Sequence, residues 1–293
     1  MKFIKYFIFT LFLSISIYAD RGSIPFRSDI KIFEPTQRAM IAWNGTEEIL
    51  LLTTDMKASD STEVLEVLPL PNEPAIKKGD IETFRKATDL INEKIRLQNV
   101  LISKRNGGKE RVIEPAGEIT FHEKIGAHDI SVAHVLNKDG FVKWVEKYLD
   151  SLGVKNPEIP EGLKKVVDEY LEETFTWFVF DVVSLDNEIK TNDAIQYRFK
   201  TDFLFYPVKI MNTEEGYTSM ELLVLTPELL RHFPGIPLEK IELPHQPISI
   251  TSSELRLLNE EMDELLGHED NMKLRIWNIE GRISSFTEDL IAR

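Results

Sequence analysis

The stretch AMIAWNGTEEILLLTT, from Ala39 to Thr54, decides the class of fold. Two apolar runs rich in strand-forming residues flank the dipeptide Asn44-Gly45. Both residues of the dipeptide tolerate the positive φ that a type I′ turn requires, so the stretch predicts two antiparallel strands joined by a tight turn. Hairpins of this kind, without regular strand–helix–strand alternation elsewhere in the chain, favour antiparallel sheet.

Other strand patterns surround this hairpin. The residues before Arg38 predict an irregular segment, because Pro25 and Pro35 interrupt both strand and helix. A dense run of aromatic and β-branched residues from Thr174 to Leu185 predicts a central strand covered on both faces. The remaining predicted strands are EVLEVLPLP, stopped by Pro69 and Pro71; NVLIS and ERVIE, paired around Asn106-Gly107; IQYRFK, with one wet face; and SMELLVLT.

Apolar residues at helical spacing predict four amphipathic helices. These are a helix from Ile81 to Ile95 capped by Asp80, a helix from Phe141 to Leu152 capped by Asp139 and ended by Gly153, a helix from about Pro160 to Glu173, and a helix from Leu255 to Leu265 that starts with a Thr251–Glu254 capping box and ends at Gly267. The last segment, from Lys273 onward, begins like a strand and finishes in a polar tail.

Together these elements predict an α+β fold with largely antiparallel sheets built from hairpins and about four helices packed against them. Residues 20–293 are predicted to form a single domain, and a proline-bearing loop at residues 156–160 leaves a division into two lobes open. A chain of this length can bury a large core, and it contains no cysteine, so its stability rests on packing.

The first nineteen residues, MKFIKYFIFTLFLSISIYA, have the plan of a secretory signal peptide. Lys2 and Lys5 precede an apolar run, and Ala19 provides the small residue before a cleavage site. The run is shorter than the roughly 20 apolar residues of a transmembrane helix, although retention as an uncleaved anchor stays open. We therefore expect an extracytoplasmic protein, secreted, periplasmic or envelope-associated, without a membrane span in the mature chain.

The charge balance argues against nucleic acid as a partner. The chain carries 49 acidic and 35 basic side chains and a formal net charge of −14. Binding to a phosphate backbone needs a basic face, and the lysines and arginines are not clustered strongly enough to provide one.

Three of the six histidines, His122, His128 and His134, lie at even intervals in the stretch ITFHEKIGAHDISVAH. Residues six apart on one strand are about 20 Å apart, too far to share a metal ion. A hairpin around Gly126-Ala127 is predicted instead, with His122 turned to the other face. Its predicted cross-strand pairs are Ile125 with His128, Phe121 with Val132, and Ile119 with His134.

No catalytic, cofactor-binding or metal-binding residue is assigned from the sequence, and no cofactor is predicted. The chain lacks the HExxH zinc motif, the GxSxG nucleophile motif, a phosphate-binding loop and a calcium-binding loop. Asp181 interrupts the apolar strand WFVFDVV, which makes it a weak site candidate. An edge position or a partner Lys or Arg is the commoner explanation for such a carboxylate.

Five blocks of sequence occur in order along the chain: QRAMIAWNG, VLEVLPLPNEP, FHEKIGAHDISVAHVL, FLFYPVKI and FTEDLI. Together they resemble the exported prokaryotic proteins grouped as the domain of unknown function 2330 family (DUF2330). This resemblance implies an extracytoplasmic domain. The family carries no established activity, so the resemblance gives no catalytic residue to transfer to this chain.

The leading hypothesis is a non-enzymatic exported protein that binds an unknown protein or small-molecule ligand at the cell envelope or outside the cell. The alternative is a metal-dependent hydrolase whose ligands, drawn from the histidines with Asp129 or Asp181, converge only in three dimensions. A structural component of the envelope is a third possibility.

Overall fold

A computed structural model describes residues 22–98, 116–125, 128–155, 157–213 and 216–293. The predicted signal segment, the predicted NVLIS/ERVIE strand pair and the Gly126-Ala127 loop lie outside these residues. The described strands form two large sheets, and helices pack against both of them.

The strands of the smaller sheet are β1 (Gly22–Pro25), β4 (Thr62–Leu70), β6 (Ala116–Ile125), β7 (His128–Leu136) and β8 (Trp177–Leu185). Those of the larger sheet are β2 (Ile32–Trp43), β3 (Glu47–Ala58), β5 (Ala75–Lys78), β9 (Lys190–Thr191), β10 (Ile195–Lys200), β12 (Tyr217–Thr226), β13 (Ile241–Glu242), β14 (Ile248–Ile250) and β15 (Met272–Arg282). A separate two-stranded sheet consists of β11 (Leu204–Tyr206) and β16 (Leu290–Ala292). The helices are α1 (Glu82–Gln98), α2 (Lys138–Ser151), α3 (Glu161–Glu172), α4 (Ser252–Leu258) and α5 (Glu260–Leu265).

The smaller sheet has the order β1-β4-β8-β7-β6, with antiparallel neighbours. Strand β8 lies in the middle, as the run from Thr174 to Leu185 predicts. One face of this sheet packs on α2 and α3, where the ring of Phe141 lies 5.1 Å from that of Phe178. The other face meets the larger sheet, because Val64 and Val183 share a buried cluster with Met56 of β3.

The larger sheet is built around the predicted β2–β3 hairpin, which the structure confirms. Its order is β13-β15-β12-β2-β3-β10-β5, and β12 pairs with β2 in parallel while the other described pairs of this sheet are antiparallel. Helices α1, α4 and α5 cover its outer face, where Met40 and Leu51 pack with Phe84 and Met262. The molecule is therefore a four-layer sandwich of helices, sheet, sheet and helices, and the predicted α+β class is confirmed.

The turn of the β2–β3 hairpin differs from the predicted type I′ turn. Gly45 has a φ of +98°, whereas Asn44 is not among the residues with positive φ. The Asn44 side-chain oxygen instead accepts hydrogen bonds from the backbone N–H groups of Thr46 and Glu47, both at 2.9 Å. A side chain that caps the loop in this way replaces the backbone geometry of the tighter turn.

Three prolines lie within strands, although the sequence predicted an irregular segment at Pro25 and Pro35 and the end of a strand at Pro69. Pro25 ends β1, which is an edge strand, and Pro35 lies where the β2–β3 register shifts between Phe33 and Thr36. Pro69 lies inside β4, opposite Phe178 of β8 and beyond the described pairing with β1. An edge position or a bulge does not require the N–H that proline lacks, which explains why these predictions were wrong.

The structure confirms several of the predicted helices and caps and corrects two of them. Asp80 caps α1 through a 2.9 Å hydrogen bond from Glu82 N, and α3 matches its prediction. Helix α2 begins after Asn137, so Asp139 lies in its first turn and is not its cap. The helix predicted from Leu255 to Leu265 is two helices, because Asn259 is extended (φ −158°) and caps α5 by accepting from Met262 N.

Two exposed surfaces predicted from the sequence are buried instead. Gln196 of β10 lies under α5, where it donates to Glu261 at 2.9 Å and accepts from Asn259 at 2.8 Å, so β10 does not have a uniformly wet face. The predicted polar tail is also wrong, because Phe286 and Leu290 are fully buried and β16 pairs with β11. Both corrections come from elements that are distant in sequence.

Candidate functional site

The hairpin of β6 and β7 has most of the predicted register. Ile125 pairs with His128 and Phe121 pairs with Val132, as predicted. A register shift between Ile119 and Phe121 then places Glu118, and not Ile119, opposite His134. The extra residue of a bulge moves all later pairs by one position, so this part of the prediction was wrong.

The described histidines of this hairpin have separate environments. His128 is fully buried, while His134 is half-buried and stacks on Trp177 with ring centroids 4.0 Å apart. His122 is in register with Ser131, whose hydroxyl accepts a 2.9 Å hydrogen bond from Tyr148 on the helical side of the sheet. In the register, His122 is one position out of phase with His128 and His134, as predicted.

A different set of residues converges between the two sheets: Glu66 of β4, His128 of β7 and Asp181 of β8, here called the intersheet cluster. Glu66 and Asp181 are direct cross-strand partners, and His128 lies two residues from Ile130, the β7 partner of Asp181. Neighbouring strands thus bring the three side chains to one face of the sheet. Each of the three residues is 1 % exposed.

The two ring nitrogens of His128 face different partners. Nδ1 lies 2.5 Å from Asp181 Oδ2, and Nε2 lies 3.1 Å from the backbone carbonyl oxygen of Asp193, between β9 and β10. Since a carbonyl oxygen only accepts, Nε2 carries the hydrogen of this bond. His128 therefore connects the smaller sheet to the larger one, and Asp181 is a central buried residue, in contrast to the expected edge position.

Polar side chains continue beyond the cluster along the same face. Ser23 of β1 pairs with Glu66, and its hydroxyl donates to Glu34 Oε1 of β2 at 2.8 Å. Both Ser23 and Glu34 are buried. One ligand atom from each of Glu66, His128 and Asp181 lies within 4.8 Å of the others, which makes the intersheet cluster a candidate metal centre.

Sequence reasoning missed Glu66. Its neighbours on the same face, Val64 and Leu68, are apolar and buried. A charged residue between two apolar ones on the same face is the sequence feature that could have indicated a buried carboxylate. Alternation within EVLEVLPLP favours one exposed face, and that expectation hid the signal. The structure covers both faces of β4, one by helices and one by the larger sheet.

A cavity of about 590 Å³ lies next to the segment that follows β12, and its lining contains no residue of the intersheet cluster. Its walls are mainly apolar, and two arginines, Arg231 and Arg293, and one acid, Glu228, lie among its lining residues. The apolar lining residues are Trp43, Leu204, Pro227, Leu229, Leu230, Pro234 and Ala292. They come from segments far apart in the chain, so no local sequence pattern indicated the cavity.

Two buried carboxylates hold the wall formed by β11 and β16. Glu48 Oε2 accepts from Phe205 N at 2.7 Å, and burial raises the pKa of Glu48 well above its usual value. Asp289 accepts from the Tyr170 hydroxyl at 2.7 Å and from the N–H groups of Val208 and Lys209. Burial raises the pKa of Asp289 to about 6, although these hydrogen bonds and the nearby Lys209 oppose the rise.

A family model described as "Uncharacterized protein conserved in bacteria (DUF2330)" matches residues 19–232. The chain belongs to this DUF2330 family. The matched range contains the intersheet cluster and much of the cavity lining, through His232. The family's description names no activity.

Outside its family, this DUF2330 protein shows little similarity to curated proteins or to the solved structure compared with it. No curated protein matches its sequence significantly. The crystal structure of baculovirus P35 is similar with a TM-score of 0.44 and 8% sequence identity, over 92% of this chain and 99% of that chain. A similarity at this level establishes neither a shared fold nor a shared activity. In the described part of the DUF2330 chain, no helix is both long and apolar enough to cross a membrane.

Proposed function

We propose that this DUF2330 protein is a non-enzymatic exported protein that binds a small amphiphilic acid in the cavity beside Arg231 and Arg293. The observation that carries the proposal is the cavity itself. Its volume of about 590 Å³ is in the range of small-molecule sites, which is about 300 to 1,000 Å³. Such sites combine apolar walls with a few polar groups that orient the ligand.

The apolar walls select the body of the ligand. Leu204, Leu230 and Ala292 come from three separate segments and line the same space. A short hydrocarbon chain placed between them would be removed from contact with water. This removal stabilises binding by about 25 cal/mol for each Å² of apolar surface buried. The cavity therefore suits an aliphatic body better than a sugar or a nucleotide.

The arginines select the charged end of the ligand. Arg231 and Arg293 are exposed, and the Arg293 guanidinium lies over the Phe203 ring at 5.4 Å from its centroid, which orients it. The planar guanidinium donates two parallel hydrogen bonds to a carboxylate. On a chain with a net charge of −14, two arginines beside an apolar cavity favour an anionic group there.

Export is supported by the N-terminal plan of two lysines, an apolar run and Ala19. Expression of the full chain in a bacterial host, followed by fractionation, tests it. A shortened chain outside the cytoplasm is expected, and an uncut chain retained in the cytoplasm would contradict export. Fractionation with large envelope assemblies would favour a structural component over a ligand-binding protein.

The alternative of a metal-dependent hydrolase has less support. His128 and Asp181 do converge, but each is 1 % exposed, and a substrate has to reach the metal ion of a hydrolase. Asp129 is in register with Val182, one position out of phase with Asp181. Hydrolysis of generic ester, phosphoester, glycoside or peptide substrates by the purified chain would reverse this preference.

Calorimetric titration with octanoate and octylammonium tests the ligand class. These probes share one hydrocarbon chain and differ in charge, so saturable binding of octanoate alone is expected. Arg231→Glu should weaken octanoate binding at least tenfold, because each 1.4 kcal/mol lost is a factor of ten. The matched control is Arg282→Glu, since Arg282 is exposed and does not line the cavity. Absence of saturable octanoate binding, or equal binding in both variants, would overturn the proposal.

A further inference from the structure

The intersheet cluster presents three different metal-ligating side chains from three neighbouring strands. Glu66, His128 and Asp181 each place one ligand atom within 4.8 Å of the other two. Ligands of one metal ion at about 2.0 to 2.2 Å from it lie no more than about 4.4 Å apart, so a small side-chain adjustment completes the set. The strands that carry them are paired residue by residue, which holds the three positions together.

His128 is oriented as a metal ligand usually is. Its Nε2–H donates to the Asp193 carbonyl oxygen, so Nδ1 is the nitrogen that faces Asp181. In metal sites, a ligating histidine almost always donates its other N–H to a carbonyl, a carboxylate or water, which fixes the ring. This hydrogen bond comes from the larger sheet and is independent of the two carboxylates.

We propose that Glu66, His128 and Asp181 bind one divalent transition-metal ion between the two sheets. His128 binds through Nδ1, and each carboxylate binds through one oxygen. The short contact of 2.5 Å between His128 Nδ1 and Asp181 Oδ2 is a hydrogen bond that holds one proton. Metal binding replaces this proton and widens the separation to about 3.3 Å, the distance between two ligands of a tetrahedral ion. The released proton leaves to solvent.

The donor set determines which ions fit. One imidazole nitrogen with carboxylate oxygens suits zinc, cobalt or manganese, whereas calcium and magnesium prefer all-oxygen sites. Because the cluster is buried, the ion stabilises the packing of the sheets and does not act on a substrate. The metal site shares no residue with the lining of the proposed ligand cavity.

Elemental analysis of the full chain, purified without a histidine tag, tests this site first. We expect about one equivalent of transition metal per chain, retained through dialysis against buffer. His128→Gln should reduce the metal content at least tenfold. The matched control is His134→Gln, on the same strand and the same face, which should retain the metal. Metal that persists in His128→Gln would overturn the proposal, because the ion would then be bound elsewhere.

A second measurement uses the wild-type chain and needs no folded variant. After removal of metal with a chelator, titration with cobalt should saturate at about one equivalent, with visible absorption, release of a proton and a higher melting temperature. A chain that contains no metal, and that neither binds cobalt nor changes its melting temperature with zinc or chelator, would overturn the proposal. The cluster would then be a buried histidine–aspartate pair only.

Discussion

Asp289 is an almost fully buried carboxylate that joins α3 to the segment after β11. Its side chain accepts hydrogen bonds from Tyr170, Val208 and Lys209. Burial nevertheless raises its pKa to about 6, so the folded state holds a proton that the unfolded chain releases near pH 4. Stability from this group is present at low pH and is lost as the pH rises through about 6.

Asp289→Asn should remove this pH dependence. An elevation of about two pKa units corresponds to about 3 kcal/mol, at about 1.4 kcal/mol for each unit. Between pH 4 and pH 7 the free energy of unfolding of the wild type should fall by about 2 kcal/mol relative to that of the variant, because ionisation is penalised only in the wild type and part of the effect lies below pH 4. Urea unfolding of both proteins across this range measures it, and a constant difference would contradict the raised pKa.

Single residues also show what a sequence can reveal about the candidate site. Asp181 stood out because an acid interrupts an apolar run, and it proved to be buried beside His128. Glu66 is also an acid within an apolar run, but that run also fits an alternating strand with one solvent-exposed face. The face of β4 that carries Glu66 is buried against the larger sheet, whose strands come from segments throughout the chain, so the sequence of β4 alone could not reveal this burial.

At the scale of elements, local signals predicted most strands and helices, while long-range contacts decided the exceptions. The capping box of Thr251 and Glu254 and the apolar stripe of α3 are local, and both predictions were confirmed. The break at Asn259 depends on Gln196, which lies 63 residues earlier and accepts a hydrogen bond from the Asn259 side chain. The β11–β16 pair likewise joins distant segments, so the tail was misread as polar.

Asn259→Ala tests the junction between α4 and α5. It removes the cap on Met262 N and leaves the buried Gln196 oxygen without this donor, so the free energy of unfolding should fall by about 1 to 3 kcal/mol. Leu257→Ala is the control in the preceding helix, since Leu257 is 77 % exposed and its loss should change stability by less than about 0.5 kcal/mol. Equal losses in urea unfolding would contradict the role of Asn259.

At the scale of the whole molecule, packing between distant elements creates sites that no single element contains. The intersheet cluster uses β4, β7 and β8 with a backbone carbonyl beside β10, and the cavity uses residues from Trp43 to Arg293. Composition predicted a chain without a basic nucleic-acid surface and long enough to bury a large core. The position and chemistry of the cavity could not be predicted without the fold, because its lining residues are far apart in the sequence.

The preference of the chain for octanoate over octylammonium, compared between the wild type and Arg231→Glu, tests the central claim most directly. If Arg231 selects the charged end of an amphiphilic ligand in the cavity, the wild type binds octanoate more tightly and the variant, with an acid at this position, reverses the preference. Calorimetric titration of the four combinations measures this reversal. The same order of affinity in both proteins, or no saturable binding of either probe, would contradict it.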